Sequence, residues 1–293
     1  MAGYRLHEVL VAPARPTAQL GRIIGGVVLI VFGFIALNVL FFQIMRLFPG
    51  WSDLAPHLSD GTVPMAIWVL LLNFAPLLLS LAIVLHVLHS RSVVALLGPR
   101  RLVLFDTRRV LRRAVPLYLV IFLIPLPDAL AAEWNMSLSA WLVLLPLSVP
   151  LLILQVTTEE VLFRGYLQSH LAARFSSPLV WMLVPSALFA FLHYDPETFG
   201  PNAMALAGVT GLFALAAADL TARAGNLGPA LALHFINNVV ALLVTSMDGY
   251  WDGLALFTVP YDPSNVEAVQ ASLPIEVLVI FCGWLVARIA IRR

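Results

Sequence analysis

Two adjacent carboxylates, Glu159 and Glu160, lie inside the apolar run from Trp141 to Gln168, WLVLLPLSVPLLILQVTTEEVLFRGYLQ. An ionisable side chain at membrane depth costs about 3 kcal/mol on insertion scales, so such residues are rare there and usually functional. Two carboxylates side by side also repel each other. The arrangement suits proton-transfer chemistry in a water-excluded place. Glu160 and Arg164 are four residues apart, share a helix face and can form an ion pair. Glu159 is rotated about 100° away from Glu160. It has no such partner in the local sequence and is free to face a cavity.

Two further clusters share this character. Phe189 and His193 stand four apart in LVPSALFAFLHYD, and His234 and Asn238 stand four apart in RAGNLGPALALHFINN. The Asn226–Pro229 stretch reads as a helix start with proline near the first turn. His234 and Asn238 then lie on one face of that helix. Such a pair offers donors for a developing oxyanion, or a ligand with its orienting neighbour. A hydrolase needs a base to activate water and donors to hold the tetrahedral oxyanion, and this set supplies both. It also suits a zinc site, because carboxylate and imidazole together are zinc ligands. No serine, cysteine or aspartate stands in a comparable position for a nucleophilic mechanism.

The elements that must hold these residues are membrane helices. Hydrophobic residues make up 61% of the 293 residues and charged residues 11%, far from a soluble average. Eight apolar segments are predicted, near 23–47, 64–88, 114–132, 138–163, 178–194, 203–221, 228–247 and 273–291, several long enough to span a bilayer. The expected fold is an all-α polytopic bundle forming one membrane domain over 1–293. The one cysteine, Cys282, reads as an apolar packing residue and excludes an intrachain disulfide framework. The first apolar run is too long for a signal-peptide core and is read as a retained helix.

Every basic residue is arginine. Arg91, Arg100, Arg101, Arg108, Arg109, Arg112 and Arg113 crowd the expected loop between the second and third helices. Arg5, Arg15 and Arg22 precede the first, and Arg288, Arg292 and Arg293 close the chain. The opposite side holds Arg46 and most of the acids. The positive-inside rule then puts both termini in the cytoplasm, of a bacterial inner membrane by the arginine-only usage. The seven arginines are read as a topology determinant that touches anionic headgroups, with no nucleic-acid partner expected. His170 is expected at the cytoplasmic surface, and His7 in an exposed segment.

The order E-E-x-x-x-R-G at Glu159–Gly165, F-x-x-x-H at Phe189–His193 and H-x-x-x-N at His234–Asn238 resembles the CAAX-protease and bacteriocin-processing family of intramembrane proteases. That family includes the type II CAAX prenyl endopeptidases. The resemblance covers about 150–245, a protease core. It implies hydrolysis of a peptide bond near the membrane, with a peptide or membrane protein as substrate and the bilayer as surroundings. By this resemblance Glu159 is the general base, His193 assists, His234 and Asn238 bind the oxyanion, and Arg164 and Phe189 support them. Glu160 would hold the site together with Arg164 and is also a catalytic candidate. Members have been described both as metalloproteases and as glutamate-dependent enzymes, and both stay open here. A zinc ion, if held, would take Glu159, His193 and His234, although no H-E-x-x-H pair is present.

A non-catalytic scaffold of the same fold and a proton-coupled transporter are the competing classes. A scaffold could lose any motif residue without consequence, and a transporter would show symmetric halves, of which the sequence has no sign. One geometric tension remains. His193 lies about 22 Å into its helix, whereas the glutamates close a helix expected to end near the cytoplasmic face. A kink at Pro146 and Pro150, a tilted fifth helix or a deep cytoplasmic cavity would bring them together.

Overall fold

The computed structural model describes residues 2–292 and is 79% helical. Arg293, counted above with the cytoplasmic arginines, lies outside the described residues. The longer helices, numbered in chain order, are α1 (Leu20–Met45), α2 (Pro64–Leu72), α3 (Phe74–His89), α4 (Arg100–Phe122) and α5 (Leu138–Glu160). They continue with α6 (Pro178–Leu192), α7 (Ala203–Ala224), α8 (Gly228–Val239) and α9 (Val266–Ile291). Their boundaries follow local rules. The side chain of Ser137 accepts from Ala140 N at the start of α5, an N-cap. Pro178 and Pro229 occupy first-turn positions, where a missing N–H costs nothing. Gly225 ends α7 with φ +67°, the left-handed conformation that glycine adopts freely.

Five helical stretches are long and apolar enough to cross a membrane: Leu20–Met45, Pro64–His89, Leu138–Arg174, Pro196–Ala224 and Val266–Ile291. Pro178–Leu192 and Gly228–Val244 are shorter apolar helices, and they cover two more of the eight expected segments. The expected third segment, 114–132, is the apolar end of α4 followed by loop. The arginine-rich stretch before it is therefore helix, not loop, from Arg100 onward. Large apolar side chains such as Phe32, Val87 and Val143 point outward, as they do where lipid is the solvent. Asn38 and Asn73 bond each other at 2.9 Å between α1 and the α2–α3 junction. The chain also forms a small sheet outside the all-α expectation. β1 (Glu133–Trp134) pairs antiparallel with β3 (Phe257–Val259), which pairs parallel with β2 (Thr245–Met247).

The central helix is α8, which packs against α4, α5, α7 and α9. Two glycines set its neighbours. A Cβ on Gly228 would lie 2.5 Å from Val103 O, and one on Gly165 would lie 2.9 Å from Leu96 Cβ. Both positions need hydrogen in place of a side chain. Two histidines are placed differently from expectation. His170 is 0% exposed, with its Nδ1 on Tyr166 O at 2.8 Å and its ring 4.5 Å from that of His89. His7 is buried against Trp181, ring centroids 4.8 Å apart. The short N-terminal helices fold back onto the bundle, which covers both rings.

Candidate active site

The helix carrying the glutamates does not stop at them. α5 runs directly into a π-helical segment, Val161–Gln168, and then Ser169–Arg174, making one 37-residue stretch, Leu138–Arg174. Residues 175–177 turn the chain back into α6, which packs along the π-helical segment. Counting from this turn, Arg174 back to Glu159 and Pro178 forward to His193 are both 15 residues, about 22 Å. Glu159 and His193 thus share one depth. The tension in the sequence reading disappears because the glutamates sit within a long helix, not at its cytoplasmic end.

π-Helical segments place side chains out of the 3.6-residue register and recur at functional sites. Here one follows Glu160 directly and a second, Val240–Val244, follows α8 just past Asn238. Between them the side chains converge. Glu160 is 0% exposed, and its Oε1 accepts from Arg164 Nη1 at 2.9 Å and from His234 Nδ1 at 2.7 Å. Arg164 also donates to Ala214 O of α7 at 3.2 Å, and its guanidinium lies 4.9 Å over the Phe189 ring. A buried ion pair is retained only where further hydrogen bonds satisfy both partners. His234 adds one such bond to Glu160 Oε1 and Ala214 one to Arg164, while Glu160 Oε2 has no side-chain or backbone donor among the described residues.

Because His234 Nδ1 donates to a carboxylate, its Nε2 is turned the other way. It faces Glu159 Oε2 at 3.4 Å. Glu159 keeps 8% of its surface exposed. Its Oε2 accepts from Gln155 Nε2 at 2.7 Å, while Gln155 Oε1 accepts from Asn238 Nδ2 at 2.9 Å. Asn238 therefore orients Glu159 through Gln155. Gln155 itself escaped the sequence reading. The signal was available: it is a lone amide in an apolar run, one turn before Glu159 on the same face.

His193 ends α6 and is exposed, with Nδ1 donating to Phe189 O at 2.8 Å. A carbonyl can only accept, so Nδ1 holds the proton and Nε2 keeps a lone pair. The Phe189 ring stacks on His193 at 4.6 Å and meets His234 edge-on at 6.1 Å. It is the spacer between the two imidazoles. The structure thus gathers Glu159, Glu160, Arg164, Phe189, His234 and Asn238 into one cluster with His193 at its rim. Among the described residues no three His, Cys, Asp or Glu side chains are grouped to hold a metal ion. The expected set of Glu159, His193 and His234 is not among such groups, and the bond from His193 Nδ1 to Phe189 O leaves its Nε2 lone pair free.

The remaining motif residues build the scaffold. Asn226 Oδ1 accepts from Gly228 N at 2.9 Å at the start of α8, and its Nδ2 donates to Asp106 Oδ2 of α4 at 2.9 Å. The N-L-G-P stretch is therefore a helix start bolted to a neighbouring helix.

Comparison with known proteins agrees with this picture. Residues 139–240 match the family model described as type II CAAX prenyl endopeptidase Rce1-like. The chain is 30% identical over 162 residues to the uncharacterized protein YyaK of Bacillus subtilis (strain 168), covering 54% of this chain and 52% of that one. It spans about half the length of this curated relative. No solved structure matches the chain. The matched segment is less than half of the chain but includes every residue of the site described above, and there the chain is similar to the Rce1-like type II CAAX prenyl endopeptidases.

Proposed function

We propose that the protein is an intramembrane endopeptidase in which Glu159 activates water against a peptide bond. The observation that carries this reading is the contact chain Arg164–Glu160–His234–Glu159. It gives two adjacent glutamates different work. Glu160 is fully buried and holds an arginine and a histidine through Oε1. Glu159 receives one amide hydrogen bond on Oε2 and faces an imidazole nitrogen.

In this mechanism a water between Glu159 and His193 gives its proton to Glu159 as its oxygen attacks the carbonyl carbon. His193, with its Nε2 lone pair, holds the second hydrogen of that water. The carbonyl oxygen becomes an oxyanion, which His234 stabilises through Nε2–H while Glu160 balances its charge. Glu159 then passes its proton to the amine nitrogen as the C–N bond breaks, so base and acid are one carboxylate. Asn238 acts here through Gln155, and no step passes through a metal. The substrate is a peptide or membrane protein presented near the bilayer. In this reading the site opens towards the cytoplasm, which also holds both termini, in a bacterial inner membrane.

The test is cleavage of a membrane-embedded peptide by purified protein, comparing wild type with Glu159→Gln, His193→Ala and His234→Ala, with and without a chelator. Cleavage should vanish with Glu159→Gln and persist in chelator. Undiminished cleavage by all three variants overturns the reading, and loss in chelator restored by zinc replaces its metal-free form.

A further inference from the structure

Away from the glutamates, a cleft of about 720 Å³ lies on the outer face of α4. Arg101, Arg108, Arg109, Arg112 and Arg113 line it, around Leu104 and Phe105. Arg108 and Arg112 are four apart, as are Arg109 and Arg113, and like charges at that spacing repel. Arginine ion pairs among the described residues belong to Arg15, Arg164, Arg223 and Arg288, so these five have none. Asp106 of the same helix is 0% exposed and turned inward to Asn226. Arg113 donates to Ala290 O and Arg109 lies over the Phe105 ring, but five guanidinium groups on one face without a carboxylate call for an anionic partner, and guanidinium matches phosphate oxygens through paired N–H donors.

The surroundings choose among anions. Leu104 and Phe105 are 57% and 54% exposed between the arginines. Past Arg113 the same helix exposes Val115, Leu119, Val120 and Phe122. Charge gives way to exposed apolar surface within one turn, as happens where a helix passes from headgroups into hydrocarbon. A soluble polyanion would have no use for those apolar side chains. A phospholipid would, because its phosphate meets the arginines while its chains lie along the apolar continuation.

The inner face of the same turns of α4 holds the start of α8. Val103 O is in tight approach to Gly228, Asp106 accepts from Asn226, and Thr107 Oγ1 donates to Gly228 O at 3.0 Å. α8 carries His234 two turns further on. We propose that the arginine face of α4 binds anionic phospholipid headgroups, and that this binding holds α4 where its inner face positions α8 and His234. The regulatory half rests on the protease reading above; the binding half does not.

The test uses the full chain in mixed micelles and nanodiscs of phosphatidylcholine with and without phosphatidylglycerol. Wild type should retain phosphatidylglycerol in preference to phosphatidylcholine, with a preference that falls as salt rises. Replacing Arg101, Arg108 and Arg112 together by Gln should weaken retention on the order of 100-fold, each surface arginine contributing a factor of about five. The matching Lys variant keeps the charge and insertion signal and should retain most of the binding, which separates lost contact from failed insertion. In the cleavage assay wild type should be faster with phosphatidylglycerol, and the Gln variant should run at the phosphatidylcholine rate in both lipids. Equal retention of the two lipids, a preference that ignores salt, or displacement of phosphatidylglycerol by heparin overturns the binding. Selective binding with lipid-independent cleavage overturns the coupling. Selective binding with no cleavage in any lipid leaves the surface standing and removes the protease reading.

Discussion

The molecule contains two buried carboxylates that share a local pattern, an acid followed four residues later by arginine on a helix. One is Glu160 with Arg164, and the other is Asp219 with Arg223, paired at 2.7 Å. Their surroundings differ in one respect that matters. Asp219 is saturated: Oδ1 accepts from Tyr4 and Arg223, and Oδ2 from Trp284 and Arg288. Those four donors come from the N-terminal segment, α7 and α9, so Asp219 fastens three parts of the chain and has no capacity left for a substrate or a water. Glu160 also receives strong donors, an arginine and a histidine, both on Oε1, and is 0% exposed; beside it stands Glu159, which has one amide donor on Oε2 and keeps 8% of its surface exposed. The lesson is that a buried acid-arginine pair is structural by default. In the proposed mechanism chemistry belongs to the adjacent carboxylate, Glu159, which no arginine holds and which keeps some exposure.

The contrast can be broken by crossing substitutions. Glu159→Gln keeps shape and the approach of Gln155. It should lower cleavage by at least about a thousandfold, as loss of a central catalytic group does, with an unchanged thermal midpoint. Asp219→Ala should do the reverse. It leaves the half-buried Arg223 and Arg288 without their carboxylate and removes the acceptor for Tyr4 and Trp284, a loss on the order of 1–3 kcal/mol, read as a lower thermal midpoint with near-normal turnover per folded molecule. A variant at Asp219 that kept its stability but lost turnover would erase the distinction between the two regions.

Gln155→Leu sharpens the comparison, since it removes the one amide that orients Glu159. Groups that orient a catalytic group typically cost 10–100-fold when removed, so kcat should fall by about that factor with KM little changed. The smallest effect is expected at His7, beside Tyr4 on the Asp219 side of the molecule. Burial pushes its imidazole down to about 4. The ring is neutral when folded, whereas the unfolded chain takes up a proton as pH drops below 6.5. Folding stability therefore declines as pH falls from 6.5 towards 4 and levels off below that. Thermal midpoints of wild type should fall over this window more than those of His7→Phe, and parallel curves would count against the assignment.

Much of the site was legible because its residue types are improbable where they stand. Glu159, Glu160, His193 and His234 stand out in apolar helices, and the Glu160–Arg164 pair follows from helix geometry alone. Gln155 was missed because an uncharged amide raises no electrostatic alarm. His170 and His7 were misplaced because local hydropathy cannot tell an exposed segment from one folded back onto the bundle. The arginine stretch was read as a loop because charge density marks a membrane boundary equally well whether the backbone there is coiled or helical.

The sequence by itself determined that this chain is a membrane protein, which residues are candidates for chemistry, and which of the two glutamates has a local partner. Those properties depend on composition and on spacing of a few residues, which helix geometry converts directly into position. Only the tertiary structure decided that Glu159 and His193 share a depth, that His234 divides its two nitrogens between the glutamates, and that Asn238 reaches Glu159 by way of Gln155. Each of these depends on how far one helix continues before turning back against another. That is settled by packing between helices distant in sequence, where no local signal reaches.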